Sequence, residues 1–433
     1  MNARILLLAL AASGLARVTP DSGVDDAPTR RETTAILEEV LELGPRAMGE
    51  ARARQLALLE RLAATPDLDE RSEKAWRKDL LRAWEKLPGL PETKGDTYWW
   101  KEERRGRYIV GGQTRKPKGL LIGMHGGGAG SGDASTSAGP YDGPASGLKW
   151  VAIFPEVLEK TERGWTDSGT EEWVWDLVDQ ARRSFDVDAD HVYLAGHSMG
   201  GYGSWTLGAH HADRVAALAP SAGAPTPILD ATTGEIVDVD WGVVPNLRNV
   251  PMVVYQSLDD PQVPPAANQA AVTSVAAARA RFGGYEDFTY WEVDGRGHGE
   301  PPGGPKAHLE RIASFAREPV QDVVVWQPVL EWKRQFYWLF WEDPSVGALV
   351  IGRIDRETNT VAVELSLHSA KDPGSGLAVL LDDRLVDRGR EVVVTLNGEE
   401  RFRGSPERRF EVLLDTSTTG DPGRQFSSRI ALQ

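Results

Sequence analysis

Ser198 lies in the pentapeptide Gly196-His197-Ser198-Met199-Gly200. A serine in this pattern serves as a nucleophile once a base and a set of oxyanion donors stand beside it. The pentapeptide alone decides little, because 45 glycines in 433 residues give about a third of one chance match. Its surroundings carry the argument. Val192 to Ala195 form a short apolar run of the kind that fills a buried parallel strand, and Gly200, Gly201 and Gly203 follow the serine. Strand, sharp turn and small-residue helix start together hold a hydroxyl exposed at a strand tip; the plain alternative is a glycine-rich loop with an incidental serine.

The supporting parts are present in chain order. Leu121 to Met124 run into His125-Gly126-Gly127-Gly128, where glycine lets the backbone approach a substrate carbonyl. Gly126 and Gly127 are the candidate oxyanion donors, together with the N–H of Met199. A phosphate-binding reading of these glycines fails: no Gly-Lys-Ser/Thr follows, and Ala129 to Gly143 does not read as a helix start. Met252 to Tyr255 reads as a strand leading to Asp259-Asp260-Pro261. Asp260 is the candidate for orienting a histidine and Asp259 its competitor, the other aspartate building the turn. His298, in Asp294-Gly295-Arg296-Gly297-His298, follows a predicted strand on a loop from which a ring can reach back over Ser198.

Of the other histidines, His125 falls in the glycine loop, His197 within the turn, His191 before a strand, and His210, His211 and His308 on predicted helices, while His368 lies far downstream. No pair has metal-ligand spacing, so neither metal nor cofactor is expected. Loops after strand C-termini rim the site of an open α/β sheet. His125 and Trp165 are accordingly the candidates for the substrate pocket. Trp173, Trp175, Trp338 and Trp341 read as packing residues.

These residues need a scaffold. Strand-like runs at 108–110, 119–124, 150–154, 191–195, 252–255 and 288–293 alternate with helical stretches at 171–185, 200–211, 264–282 and 305–315. That alternation predicts an α/β protein with a mainly parallel sheet covered by helices on both faces. Upstream, apolar residues between Glu32 and Leu87 recur with helical period and are separated by Gly44-Pro45 and Thr65-Pro66. Such helices suit either a cap over the cleft or a flank of the sheet. Downstream of Val320, short runs including 323–326, 348–354, 361–367, 377–381, 391–396 and 410–414 predict a small β-sandwich-like module. The expected organisation is a signal peptide at 1–16, a linker and helical segment at 17–95, a catalytic domain at 96–317 and a β-rich module at 318–433.

Through His125-Gly126-Gly127-Gly128, Gly196-His197-Ser198-Met199-Gly200, Asp260 and His298 the chain resembles the α/β-hydrolase superfamily over residues 96–317. Within it the chain is similar to secreted bacterial esterases of the polyhydroxybutyrate depolymerase and feruloyl esterase type and to prolyl oligopeptidase-related hydrolases. The resemblance implies Ser198 as nucleophile, His298 as general base and then acid, Asp260 as its orienter, and an acyl-enzyme released by water. It implies a serine esterase acting on a small-molecule or polymeric ester. Peptide hydrolysis uses the same tetrahedral chemistry, and a non-catalytic binding protein could keep the scaffold. The chain departs from many extracellular depolymerases in having no cysteine, hence no disulfide.

Composition narrows the partners. A net charge of −15 without a Lys/Arg stripe disfavours nucleic acid. Arg4, the apolar run Ile5 to Ala12 and Ser13-Gly14-Leu15-Ala16 have the order of a secretory signal, which predicts a secreted or periplasmic protein. No later run is long enough to span a membrane.

Overall fold

The computed structural model describes residues 28–99, 106–368 and 375–433; the expected signal peptide lies outside the described residues. Eight strands form the central sheet: β1 (Gly95–Trp99), β2 (Gly106–Gly112), β3 (Gly119–Met124), β4 (Trp150–Pro155), β5 (Val192–His197), β6 (Ala217–Ser221), β9 (Met252–Ser257) and β10 (Phe288–Val293). A separate hairpin, β7 (Pro227–Leu229) and β8 (Ile236–Val239), stands apart from it. The sheet order is β1-β2-β4-β3-β5-β6-β9-β10, antiparallel at β1/β2 and β2/β4 and parallel from β4 to β10. A mostly parallel sheet with an antiparallel second strand and a crossover between the third and fourth is the α/β-hydrolase fold. β3, β4, β6 and β9 are buried at every residue, which is why they read as continuous apolar runs rather than alternating ones.

Helices α5 (Thr170–Phe185), α6 (Met199–His210), α7 (Ala266–Phe282) and α8 (Gly304–Ile312) fall where the periodicity predicts them. Helix α4 (Ala134–Gly147) corrects the expectation of a loop there. Its sequence carries Pro140 and Pro144, which argue against a helix. Its start is fixed by a capping box, with the Asp133 carboxylate accepting from the Thr136 N–H. Strand β6, Ala-Leu-Ala-Pro-Ser, is a second departure: a proline in a central strand is rare because it removes a ladder donor.

The first three helices, α1 (Arg30–Leu43), α2 (Gly49–Leu62) and α3 (Glu70–Glu85), do not cap the cleft. Ile36, Val40, Leu58, Leu62, Leu80 and Trp84 instead share an apolar cluster with Phe410, Leu413 and Leu414. Those last residues lie on helix α9 (Phe410–Asp415), where the sequence predicts a strand. The spacing of Phe410, Leu413 and Leu414 fits a helical face, and a run this short is ambiguous by periodicity alone.

The C-terminal region holds two sheets. One comprises β11 (Val323–Trp326), β14 (Ala348–Asp355), β15 (Thr360–Leu367), β17 (Val392–Leu396) and β18 (Glu399–Gly404). The other comprises β12 (Gln335–Phe336), β13 (Leu339–Trp341), β16 (Leu377–Leu381) and β19 (Ser428–Ala431). Apolar residues of this region, among them Trp326, Phe336, Trp338 and Trp341, belong to one cluster with Val215, Leu247 and Val250 of the α/β body. Arg317 ties the two parts further, pairing with Asp190 of the body and with Asp421 near the chain end. Among the described residues, no helix is long and apolar enough to cross a membrane.

Candidate active site

Ser198 sits between β5 and α6 with φ 61° and ψ −123°, a region that a residue with a side chain occupies only when its surroundings hold it there. Two backbone bonds do so: the Ser198 N–H donates to the Ser221 carbonyl and the Ser198 carbonyl accepts from Tyr202, at 2.8 and 3.0 Å. The glycines around the turn are required by contact. A Cβ on Gly200 would lie 2.1 Å from the Met124 carbonyl oxygen, and one on Gly201 2.5 Å from that of Ser221. Helix α6 begins at Met199, and the first N–H groups of a helix have no intrahelical acceptor.

The glycine loop lies directly against this turn. A Cβ on Gly126 would come within 2.9 Å of the His197 carbonyl oxygen and 3.2 Å of the Ser198 Cβ, and Gly127 adopts φ 127°. Gly126, Gly127, Ser198 and His298 border one cleft of about 600 Å³ together with Tyr141 and Glu300. In this cleft His298 Nδ1 is 2.8 Å from Asp260 Oδ2. Asp260 is fully enclosed: its other oxygen accepts from the Gln262 and Val263 N–H groups, both at 2.9 Å. Gln256 lies behind it at 3.5 Å, held in turn by Asn268 at 2.8 Å. Asp259 does different work. Its Oδ1 accepts from Ser257 Oγ at 2.5 Å and from the Arg296 and Gly297 N–H groups, so it braces the loop that carries His298.

The structure corrects the pocket candidates. His125 and Trp165 are both wholly buried and border the core rather than the cleft. His125 Nδ1 donates to the Gly126 carbonyl at 2.8 Å, and its Nε2 accepts from Val157 at 3.2 Å. Trp165 Nε1 donates to the His125 carbonyl at 3.2 Å. Both hold the glycine loop in shape, and burial lowers the His125 pKa, keeping the ring neutral.

Two contributors were not legible beforehand. His197 Nδ1 is 3.0 Å from Ser221 Oγ and its Nε2 is 3.2 Å from the His298 carbonyl oxygen. This places an N–H on Nε2 and binds the His298 loop to the end of β5. Burial, helped by the neighbouring His298, pushes His197 down to about 4, so it is a neutral strut at ordinary pH. Glu300 follows His298 by two residues, with Oε1 at 3.9 Å from His197 Nδ1. Burial raises its carboxyl to about 7, partly offset by a contact from Ser221. Among the described residues no group of three His, Cys, Asp or Glu is placed to hold a metal.

No family model matches the chain. A 61-residue stretch is 36% identical to the bifunctional acetylxylan esterase/xylanase XynS20E of Neocallimastix patriciarum; it covers 14% of this chain and 9% of that protein. The chain thus spans under a tenth of the curated relative it matches. Similar solved structures include a thermostable esterase (18% identity, 52% of this chain and 63% of that one, TM-score 0.40). They also include an acetyl xylan esterase from Aspergillus awamori (13%, 50% and 98%, 0.38) and the LpqC poly(3-hydroxybutyrate) depolymerase from Bordetella parapertussis (18%, 47% and 85%, 0.35). At such values the assignment of the α/β-hydrolase fold rests on the strand order and the turn at Ser198.

Proposed function

We propose that this protein is a serine hydrolase that cleaves carboxylic esters of small molecules or polymers. One observation carries the reading: a serine at a strained strand-to-helix turn borders the same cleft as a histidine whose Nδ1 is held by an enclosed carboxylate. In this reading Ser198 Oγ attacks the ester carbonyl as its proton passes to His298 Nε2. Asp260 fixes the ring tautomer and stabilises the imidazolium. The oxyanion is met by the N–H of Met199 and by Gly126 and Gly127 of the adjacent loop. Collapse breaks the C–O bond, and the departing alkoxide takes the proton from His298. Water, deprotonated by the same ring, then attacks the acyl-enzyme and frees the acid and Ser198. The order of residues 1–16 supports export to the periplasm or exterior.

The test is a fluorophosphonate probe followed by peptide mapping. A single adduct on Ser198, absent from Ser198→Ala, together with turnover of simple esters, is the expected result. Folded protein that takes up no probe would overturn the proposal, and faster cleavage of peptides than of esters would overturn the substrate class.

A further inference from the structure

Two polar atoms on the wall of the cleft, the Tyr141 hydroxyl and Glu300 Oε2, have no hydrogen-bond partner among the described residues. Tyr141 is 1% exposed and its ring shares a cluster with Leu121, Ala152 and Phe154, yet its hydroxyl has no hydrogen-bond partner among the described residues. Glu300 Oε2 is likewise enclosed and unpaired. The nearby Arg296 guanidinium donates to the Glu300 carbonyl, not to its carboxylate. A single Ser221 hydroxyl proton has both His197 and Glu300 as neighbours. Leaving a buried donor or acceptor unsatisfied costs about 1–3 kcal/mol each. Phenylalanine and an apolar residue would fill the same space without that cost, so the pair needs a reason to be there.

The two groups come from elements that flank the nucleophile. Tyr141 lies on α4, which follows the glycine loop, and Glu300 lies on the His298 loop. Burial holds the Tyr141 phenol well above its usual range, and the nearby Glu300 carboxylate adds to that, so the hydroxyl stays a donor. One hydroxyl donor and one carboxylate acceptor together are the complement of an alcohol O–H, which accepts one hydrogen bond and donates another. In the hydrolase reading His298 protonates the departing alcohol, and Glu300, two residues further along the same loop and bordering the same cleft, is assigned to the alcohol half of the ester on that ground.

Resting on the hydrolase reading above, we propose that Tyr141 and Glu300 form a hydroxyl-binding subsite selecting esters whose alcohol carries a second, free hydroxyl close to the ester oxygen, as in monoesters of polyols. The substrate hydroxyl donates to Glu300 Oε2 and accepts from the Tyr141 O–H. A site built to bond a hydroxyl discriminates strongly against the analogue lacking it, because its own groups are then left unpaired.

The experiment compares 2-hydroxyethyl butyrate with propyl butyrate, which differ by O–H for CH₃, and adds propyl 3-hydroxybutyrate, with the hydroxyl on the acyl side. Wild-type protein is expected to favour the hydroxyethyl ester at least tenfold in kcat/KM over propyl butyrate. Tyr141→Phe and Glu300→Gln are each expected to bring that ratio toward one; reading a ratio cancels any general loss of rate. A wild-type ratio of one, a ratio unchanged in both variants, or a preference for the acyl-side hydroxyl would overturn the subsite. Fluorophosphonate labelling of Ser198 is scored on the same samples, so failure of the subsite is distinguished from failure of the hydrolase reading.

Discussion

A carboxylate kept where folding disfavours it leaves a pH signature. Burial raises Glu300 from 4.5 to about 7, so its neutral form is favoured in the folded state. Its contribution to stability is therefore fully present below about pH 4.5 and is lost as pH rises through 7. At about 1.4 kcal/mol per pH unit the ceiling on that loss is about 3.4 kcal/mol. The side chain keeps 29% of its surface in contact with solvent, and screening reduces the expected value to roughly 1–2 kcal/mol. Glu300→Gln removes the ionisation while preserving shape. In urea titrations followed by tryptophan fluorescence, the variant should gain roughly 1–2 kcal/mol relative to wild type on going from pH 5 to pH 8.5. Any fixed effect of the amide cancels between the two pH values. A difference that does not change with pH, or changes in the opposite direction, would refute the claim that the carboxylate is strained by its setting.

Ser198→Ala and His298→Ala should each lower kcat by about 10⁴-fold or more without shifting the thermal midpoint, measured by ester hydrolysis and circular dichroism; substantial residual turnover in both would place the chemistry elsewhere. Asp260→Asn should cost about 10⁴-fold through loss of the correct tautomer, whereas Asp259→Asn, which only loosens bonds to Arg296 and Gly297, should cost about tenfold or less. Equal losses would undo the division of labour between the aspartates. His308 is fully buried against the Val253 carbonyl, and burial lowers it from 6.5 to about 4. Its neutral form stabilises the fold above pH 6.5, and that contribution falls away as the pH drops toward 4. His308→Gln should flatten the acid limb of the stability curve by up to about 3 kcal/mol, and an unchanged limb would contradict the assignment.

What the sequence disclosed and what it concealed divide along physical lines. The turn at Ser198, the glycine loop and the His298–Asp260 contact were legible because each depends on local chemistry: backbone freedom at named glycines, or a residue type at the end of an apolar strand. Helix α4 was concealed by Pro140 and Pro144, although Asp133 and Thr136 carried a capping signal. Strand β6 is five residues of Ala, Leu, Pro and Ser with no alternation to find. His125 and Trp165 were misjudged because a residue next to a site in sequence can point beneath it, a matter decided by the tertiary packing of Trp165 on Gly203. Tyr141, His197 and Glu300 acquire meaning only from one another, across separations that no motif spans.

The bond from His197 to the His298 carbonyl bears on motion as well as position. His197 immediately precedes Ser198, so the same strand end carries the serine and grips the loop that carries the histidine. A displacement of that strand end is expected to carry both groups together. The left-handed glycines of the His298 loop, Gly295 and Gly297, let the backbone turn there, with the Gly297 N–H held by Asp259. Placement in this cleft thus draws on a shared anchorage at the end of β5 as well as on the bracing of the loop by Asp259.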